Sequence, residues 1–134
     1  MARLFYPDLS YQLVGILFRI YNELGGGYQE KLYQRAIRLE LMKQKIKFRE
    51  QEKIALKFDG SAIGKYYIDF VIDNKIVLEI KVTPHFYKRD IKQVIGYLNS
   101  TGLKLGILAA FTKDGVKFKR IINANQNKNK ISID

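Results

Sequence analysis

A chain of 134 residues with 47% hydrophobic and 28% charged residues has the size and balance of one globular domain, which excludes a disordered protein. The absence of cysteine excludes disulfides, thiolate metal sites and iron–sulfur clusters, and it favours a cytoplasmic location. The formal net charge of +11 favours a polyanionic partner, chiefly nucleic acid, although lysines that only solubilise a small domain would give the same count.

Two helices are predicted at the start of the chain. Apolar residues recur at helical spacing from Leu9 to Leu24, between Pro7 and a run of three glycines. Arg19 and Glu23 interrupt this stretch, so we expect no membrane span and no membrane partner. A second pattern of helical spacing runs from about Tyr28 to Lys45 and predicts a second helix.

The pattern then changes to the two-residue alternation of strands. Three strands are predicted, Phe48 to Phe58, Gly64 to Ile72 and Lys75 to Val82. Asp59-Gly60 and Asp73-Asn74 are turn signals between them, which favours an antiparallel meander.

The remaining pattern predicts a helix, Phe86 to Ser100, and then two strands. The first strand, Leu103 to Phe111, is apolar on both faces, as in a central strand that is covered on two sides, and Val116 to Ile122 is the last strand. The order α-α-β-β-β-α-β-β predicts an α/β fold with a mixed sheet of about five strands flanked by helices. We expect one domain over residues 1–122 and a polar C-terminal tail over residues 123–134.

Asp69, Glu79 and Lys81 are candidates for one polar site on neighbouring strands. Glu79 and Lys81 are two residues apart, so their side chains emerge on the same face of a strand, and the turn folds Asp69 back towards them. Two carboxylates and an ammonium group could hold a hard divalent cation beside a water molecule. An exposed face with a weak salt bridge is the alternative, but the apolar neighbour Val77 on the same face favours a cleft.

Asp69 and the segment Glu79-Ile80-Lys81 resemble the catalytic motif of the PD-(D/E)xK phosphodiesterase superfamily, which has the restriction-endonuclease-like fold. The resemblance implies that Asp69, Glu79 and the backbone carbonyl of Ile80 bind Mg²⁺ or Mn²⁺. It also implies that Lys81 orients or activates the attacking water and offsets the developing negative charge. Ile68 stands in place of the motif's proline, at a position that varies widely in the superfamily.

Two further segments resemble motifs of the same superfamily. The segment Gly27 to Tyr33 resembles the signature of its GxxExxY family, which implies that Glu30 is another acidic metal ligand. The segment Gln93 to Tyr97 resembles the QxxxY motif of RecB-type nucleases, and its two end residues lie on one face of a helix, where both could reach the site or the DNA backbone. Taken alone, Glu30 would only interact favourably with the dipole at the start of its helix, and Gln93 and Tyr97 would be an ordinary amphipathic pair.

Basic residues lie on the same predicted helix as Gln93. Lys88, Arg89 and Lys92 either bind phosphates or form a solvated face. The only histidine, His85, fits a capping or surface role better than catalysis. The chain is therefore predicted to be a metal-dependent nuclease.

Nothing recognisable in the sequence reads bases, so structure-selective or nonspecific cleavage of DNA is expected rather than cleavage at a specific site, with DNA favoured over RNA. A catalytically silent nucleic-acid-binding or protein-interaction module with the same fold is the alternative. A homodimer would suit an enzyme that cuts two strands.

Overall fold

In the computed structural model, which describes residues 5–123 and 131–134, the chain begins with two helices, α1 (Pro7–Leu24) and α2 (Glu30–Lys43). Both form where apolar residues recur at helical spacing, and each buries that stripe of residues. Pro7 stands at the start of α1, where its missing N–H breaks no helical hydrogen bond. Helix α2 begins at Glu30 and not at the predicted Tyr28, so this acidic residue is in its first turn.

The next three elements are the predicted antiparallel meander. Strands β1 (Phe48–Phe58) and β2 (Ser61–Ile72) pair along almost their full lengths, whereas β2 and β3 (Ile76–Val82) pair over a short stretch next to their turn. Asp73 and Asn74 in that turn have φ values of 50° and 54°, a conformation that Asp and Asn tolerate better than most residues and that tight hairpins require.

A helical crossover completes the sheet. Helix α3 (Lys88–Thr101) leads to β4 (Leu105–Thr112), which pairs with β3 in parallel, and β5 (Gly115–Asn123) then pairs antiparallel to β4. A further strand, β6 (Ile131–Ile133), pairs antiparallel to β5, and the sheet has the spatial order β1-β2-β3-β4-β5-β6.

The predicted fold class is confirmed, with one strand more than the approximately five that were expected. Strand β6 lies within the stretch 123–134 that the sequence predicts as a polar tail. Its backbone hydrogen bonds come from pairing with β5, and its three residues are too few to show a strand pattern in the sequence. Residues 124–130 of that stretch lie outside the described residues, and the domain boundary near residue 122 stays a prediction.

Helices cover both faces of the sheet. Helices α1 and α2 pack on one face, where Leu78 and Ile80 of β3 join the larger core, and α3 packs on the other face against Val77 and Leu108. Every residue of β4 is buried, which confirms the central strand covered on two sides. Because side chains alternate along β3, Glu79 and Lys81 lie on the face that α3 covers.

The linker between α1 and α2 is packed against the end of β4. A Cβ atom added at Gly26 would lie 2.9 Å from the carbonyl oxygen of Thr112 and 3.1 Å from the hydroxyl oxygen of Tyr21. The Tyr21 hydroxyl in turn donates a hydrogen bond of 2.7 Å to that carbonyl. Only glycine fits this close backbone contact, which fixes the position from which α2 starts.

The β1–β2 hairpin extends beyond the covered part of the sheet. Residues 68–72 of β2 are buried, but residues 61–67 are exposed, as is the end of β1 that pairs with them. The hairpin turns at Asp59 and Gly60, whose φ values are 49° and 79°. Within the described ranges, no helix is both long and apolar enough to cross a membrane.

Candidate active site

The site forms where β2 and β3 separate. Their paired residues end at Phe70 and Leu78, and beyond this point two buried carboxylates take over the backbone hydrogen bonds. The N–H of Asp69 donates to Glu79 Oε1 at 3.1 Å, and the N–H of Ile80 donates to Asp69 Oδ2 at 2.8 Å. Each acid therefore satisfies a backbone donor that the divided sheet leaves without a strand partner.

Lys81 lies between two carboxylates that belong to different elements. Its Nζ is 3.7 Å from Glu79 Oε2 on the same strand and 3.9 Å from Asp90 Oδ1 on α3. These separations are contacts between charges and too long for strong hydrogen bonds. The predicted side-by-side placement of Glu79 and Lys81 is thus present in the structure.

Glu30 approaches the same group of residues from the start of α2. Its carboxylate is close enough to Asp69, Lys81 and Asp90 for their charges to act on it, and the N–H of Val82 stabilises its charged form. Gln34, one turn further along α2, donates to Glu30 Oε2 at 3.4 Å. The structure therefore brings together Glu30, Asp69, Glu79 and Lys81.

Tyr33 anchors the helix that carries Glu30. Its hydroxyl donates a hydrogen bond of 2.6 Å to the carbonyl of Gly25, and its ring stacks on Phe111 with 4.2 Å between ring centroids. The side chain is fully buried, so Tyr33 belongs to the core and not to the reacting groups. Tyr33 thus ties the first turns of α2, which carry Glu30, to the linker at Gly25.

Burial raises the pKa values of the three acids at the site. Burial, and after it the charge of Asp69, raises the pKa of Glu79 to about 8. Burial also raises the pKa of Asp69, against the opposing effects of the Ile80 N–H and the Lys81 ammonium group. The pKa of Glu30 is raised by burial and then by Asp69. In a chain with a large positive net charge, this is a local excess of negative charge.

The donor set suits a hard divalent cation. Glu30, Asp69 and Glu79 supply carboxylate oxygens, which Mg²⁺ and Mn²⁺ prefer. A cation would stabilise their charged forms against the burial that raises all three pKa values, and against the charge of Asp69 that also raises those of Glu30 and Glu79. In the part of the chain that the structure describes, no group of three or more His, Cys, Asp or Glu side chains already stands as a metal-binding cluster. The hydrogen bonds from the backbone do not block coordination, since each carboxylate oxygen has two lone pairs.

A cleft of about 600 Å³ opens beside Lys81, between α3 and the β1–β2 hairpin. Gln93 and Tyr97 both line it, as their spacing on one helical face predicts. The Tyr97 hydroxyl donates to the carbonyl of Tyr67 at 3.3 Å, and burial followed by the charges of Glu79 and Asp69 raises the pKa of Tyr97. This hydroxyl therefore stays protonated and braces the hairpin against α3.

The structure separates the predicted phosphate-binding residues into two groups. Arg89 and Lys92 line the cleft, whereas Lys88 is exposed and is not among the lining residues. The Arg89 guanidinium lies over the ring of Tyr87 at 4.5 Å, which holds it beside the cleft. His85 is exposed, with its ring 4.5 Å from that of the same tyrosine, and its carbonyl accepts a hydrogen bond from Thr83.

Three polar residues near the site have no counterpart in the sequence-based prediction: Gln34, Gln51 and Asp90. Asp90 is buried beside Lys81. The sequence hint for Asp90 was its position as an acidic residue among the basic residues at the start of α3. Gln51 lies opposite Asp69 at a gap in the β1–β2 pairing, with a φ of 50°, and its side chain stabilises the charged form of Asp69. Nothing in the strand pattern of β1 signals this irregularity.

Comparison with known proteins gives a match at the level of family and fold. A sequence model of the PD-(D/E)XK nuclease superfamily matches residues 7–121. The crystal structure of SSO0001 is similar over 87% of this chain and 57% of its own, with a TM-score of 0.51 and 18% sequence identity, which is a likeness of fold alone. The chain thus spans little more than half the length of SSO0001. None of the curated proteins matches it.

Proposed function

Because the chain belongs to the PD-(D/E)XK nuclease superfamily, we propose that it is a nuclease that hydrolyses DNA with the help of Mg²⁺ or Mn²⁺. The segment Gly27 to Tyr33 supports a place in the GxxExxY family within that superfamily. We propose cleavage that depends on DNA structure or is nonspecific, since no segment of the sequence resembles an element that reads bases. A cytoplasmic location and a homodimer stay predictions.

One observation carries the proposal. Asp69, Glu79 and Lys81 converge at the point where β2 and β3 separate, beside a cleft that Arg89 and Lys92 also line. Acids that can hold a cation, a lysine at their edge and a basic channel for phosphates are the parts that phosphodiester hydrolysis requires. A structural salt bridge alone would not account for a cleft at this position.

The proposed roles follow from position and charge. Glu30, Asp69, Glu79 and the Ile80 carbonyl would hold the metal ion, which supplies charge neutralisation at the phosphate and lowers the pKa of bound water. The Lys81 ammonium group would orient the attacking water and offset negative charge on the phosphoryl oxygens. Asp90 restrains this ammonium group from the side of α3.

A catalytically silent binding module with the same fold is the second candidate. The observation that favours it is the closed network in which Asp69 and Glu79 accept backbone hydrogen bonds while Lys81 contacts two acids. Such a network can stabilise the end of the sheet without any turnover. The two candidates predict different results with labelled nucleic acid: a nuclease cleaves it, whereas a silent module binds it and leaves it intact.

The test is cleavage of single-stranded, duplex and branched DNA, with matched RNA strands, in the presence of Mg²⁺, Mn²⁺ or EDTA. We expect metal-dependent cleavage of DNA that falls by at least about 100-fold in Asp69→Ala and in Lys81→Ala, while DNA binding is retained in Asp69→Ala. Lys75→Ala is the matched control, because Lys75 pairs with Asp73 at the surface turn before the same strand.

If the purified protein cuts none of these substrates and binds neither metal, the nuclease proposal fails and the silent module is favoured. Equal losses of cleavage activity in Lys75→Ala and Lys81→Ala would also count against the nuclease proposal, because they would indicate a general effect of removing positive charge.

A further inference from the structure

The cleft beside Lys81 has one apolar wall. Ile54, Leu56 and Tyr66 of the β1–β2 hairpin form it, and Ile54 lies directly across the ladder from Tyr66. The Tyr66 side chain is 43% exposed, and its ring meets that of Tyr97 edge to face with 6.2 Å between centroids. An aromatic ring that is held at its edge and open towards a cleft is a surface on which a flat apolar group can pack.

The opposite wall is polar and basic. Arg89, Lys92, Gln93 and Ser100 line it from α3, with Lys81 at one end. The only acid among the lining residues that the structure describes is Asp90, which contacts Lys81. A ligand that matches both walls carries flat apolar groups on one side and negative charges on the other.

Gly96 widens the cleft between these walls. It lies in the middle of α3, and a Cβ atom added there would meet no other atom within 4 Å. Glycine in a helix interior costs about 1 kcal/mol relative to alanine, and the protein's own packing does not require it here. Because Gly96 lines the cleft, the absence of a side chain there leaves the cleft wider.

Nucleotides have the required chemistry, and their pairing state decides whether they fit. In a duplex the faces of the bases are stacked, and only their edges are accessible in the grooves. Unpaired bases can instead pack on aromatic side chains while their phosphates contact cations. A cleft of about 600 Å³ has room for unstacked nucleotides and cannot enclose a helical turn of duplex.

We propose that this cleft binds unpaired nucleotides, with bases packed on Tyr66 and Leu56 and phosphates directed to Lys81, Arg89 and Lys92. The substrate is then single-stranded DNA, or a duplex with a single-stranded end that enters the cleft. As a statement about substrate, this inference rests on the proposed nuclease function, because the same Lys81 lies at the end of the cleft.

The test measures binding without cleavage, by fluorescence anisotropy in EDTA. The probes are a labelled DNA strand of about 12 nucleotides, its blunt duplex and the duplex with a single-stranded extension. We expect the single strand and the extended duplex to bind at least about 10-fold more tightly than the blunt duplex. We expect Tyr66→Ala to weaken single-strand binding by about 5- to 100-fold, the range for the loss of one base stacked on an aromatic ring.

Tyr67→Ala is the matched control. Tyr67 is the next residue on the same strand, with a similar exposure of 45%, but it points to the other face of the hairpin, and the hydrogen bond from Tyr97 uses only its backbone carbonyl. Its replacement should change single-strand binding by less than about 2-fold, as expected for a surface side chain outside the contact.

A second pair of variants tests the open volume and does not depend on Tyr66. Gly96→Leu should fold, because the space around its Cβ is open, and it should weaken single-strand binding by about 10-fold or more through steric exclusion, whereas Gly96→Ala should bind almost as the parent does. Circular dichroism and thermal denaturation verify that both variants are folded.

Two results would overturn this inference: a blunt duplex that binds as tightly as the single strand, or equal losses of single-strand affinity in Tyr66→Ala and Tyr67→Ala. Neither result bears on metal-dependent cleavage, which the cleavage assay tests separately. Single-strand binding that requires Tyr66, in a protein that cuts no substrate and binds neither metal, would instead refute the nuclease proposal and support the cleft assignment.

Discussion

The two halves of β2 lie in opposite environments, although they form one continuous strand. Residues 68–72 are buried between helices on both faces of the sheet, and Asp69 in this half is fixed by its contacts with β3. Residues 61–67 pair only with β1 and are exposed, yet Tyr66 in this half forms part of the cleft. The inner half therefore holds the acids in place, and the outer half presents a surface to a ligand.

The site therefore has a rigid part and an adaptable part. The acids and Lys81 depend on the core for their geometry, so changes in the inner half should affect stability and chemistry together. The hairpin wall has little packing of its own, so changes in the outer half should affect binding and leave stability almost intact.

The largest expected difference between the halves is in stability. Phe70→Ala in the inner half removes a fully buried ring and should lower the free energy of unfolding by about 3–5 kcal/mol. Ile63→Ala in the outer half, where the side chain is 63% exposed, should lower it by no more than about 0.5 kcal/mol. Urea denaturation measures both, and similar losses would show that the outer half is as tightly packed as the inner half.

A smaller effect is expected at Glu79, which the inner half contacts through the N–H of Asp69. Burial raises the pKa of Glu79 to about 8, so the folded protein keeps this proton where the unfolded chain has released it. The stabilisation that the neutral form provides is complete below about pH 4.5 and is lost as pH rises through about 8. In EDTA the thermal midpoint of the parent protein should therefore fall over this range.

Glu79→Gln should remove part of that fall, because the amide keeps an acceptor for the Asp69 N–H and carries no charge. The measurement is the thermal midpoint at several pH values, and Glu52→Gln is the control, since Glu52 is a partly exposed acid paired with Arg49 on β1. Parallel curves for the parent and Glu79→Gln would show that burial and the charge of Asp69 do not keep Glu79 protonated in the folded protein.

The smallest expected effect is at Gly96, across the cleft from the outer half of β2. Gly96→Ala should raise the free energy of unfolding by about 1 kcal/mol through helix propensity alone. Gly15→Ala is the matched control, because Gly15 lies in α1 and also has no atom within 4 Å of an added Cβ. We expect equal increases in stability for the two variants, measured by thermal denaturation. A much smaller increase for Gly96→Ala would mean that the cleft is more closed at Gly96 than its geometry indicates.

The order of the elements was predictable because each helix carries helical spacing of apolar residues, and the strands up to β5 carry either a two-residue alternation or, in β4, a run that is apolar on both faces. The turn signal Asp73-Asn74 also predicted the hairpin that brings Asp69 towards Glu79. The three residues of β6 were not predictable, because their pairing depends on the neighbouring strand and not on a pattern within them.

The candidate site was predictable only where its residues lie on one strand or one helix. Alternation placed Glu79 beside Lys81, and helical spacing placed Gln93 with Tyr97. The contact of Asp90 with Lys81 depends on how α3 packs on the sheet, and the left-handed conformation of Gln51 depends on an irregular ladder. Neither of these is encoded in a local period, so sequence reasoning could not find them.

The close contact at Gly26 has a consequence for engineering the protein. Because the linker backbone at Gly26 packs closely against Thr112, residues inserted there would displace the helix that carries Glu30. The exposed turn at Asp59 and Gly60 has no such contact around its glycine. A fluorescent reporter inserted at that turn would lie at the tip of the hairpin that forms the apolar wall, and it could report on nucleic acid that reaches the cleft.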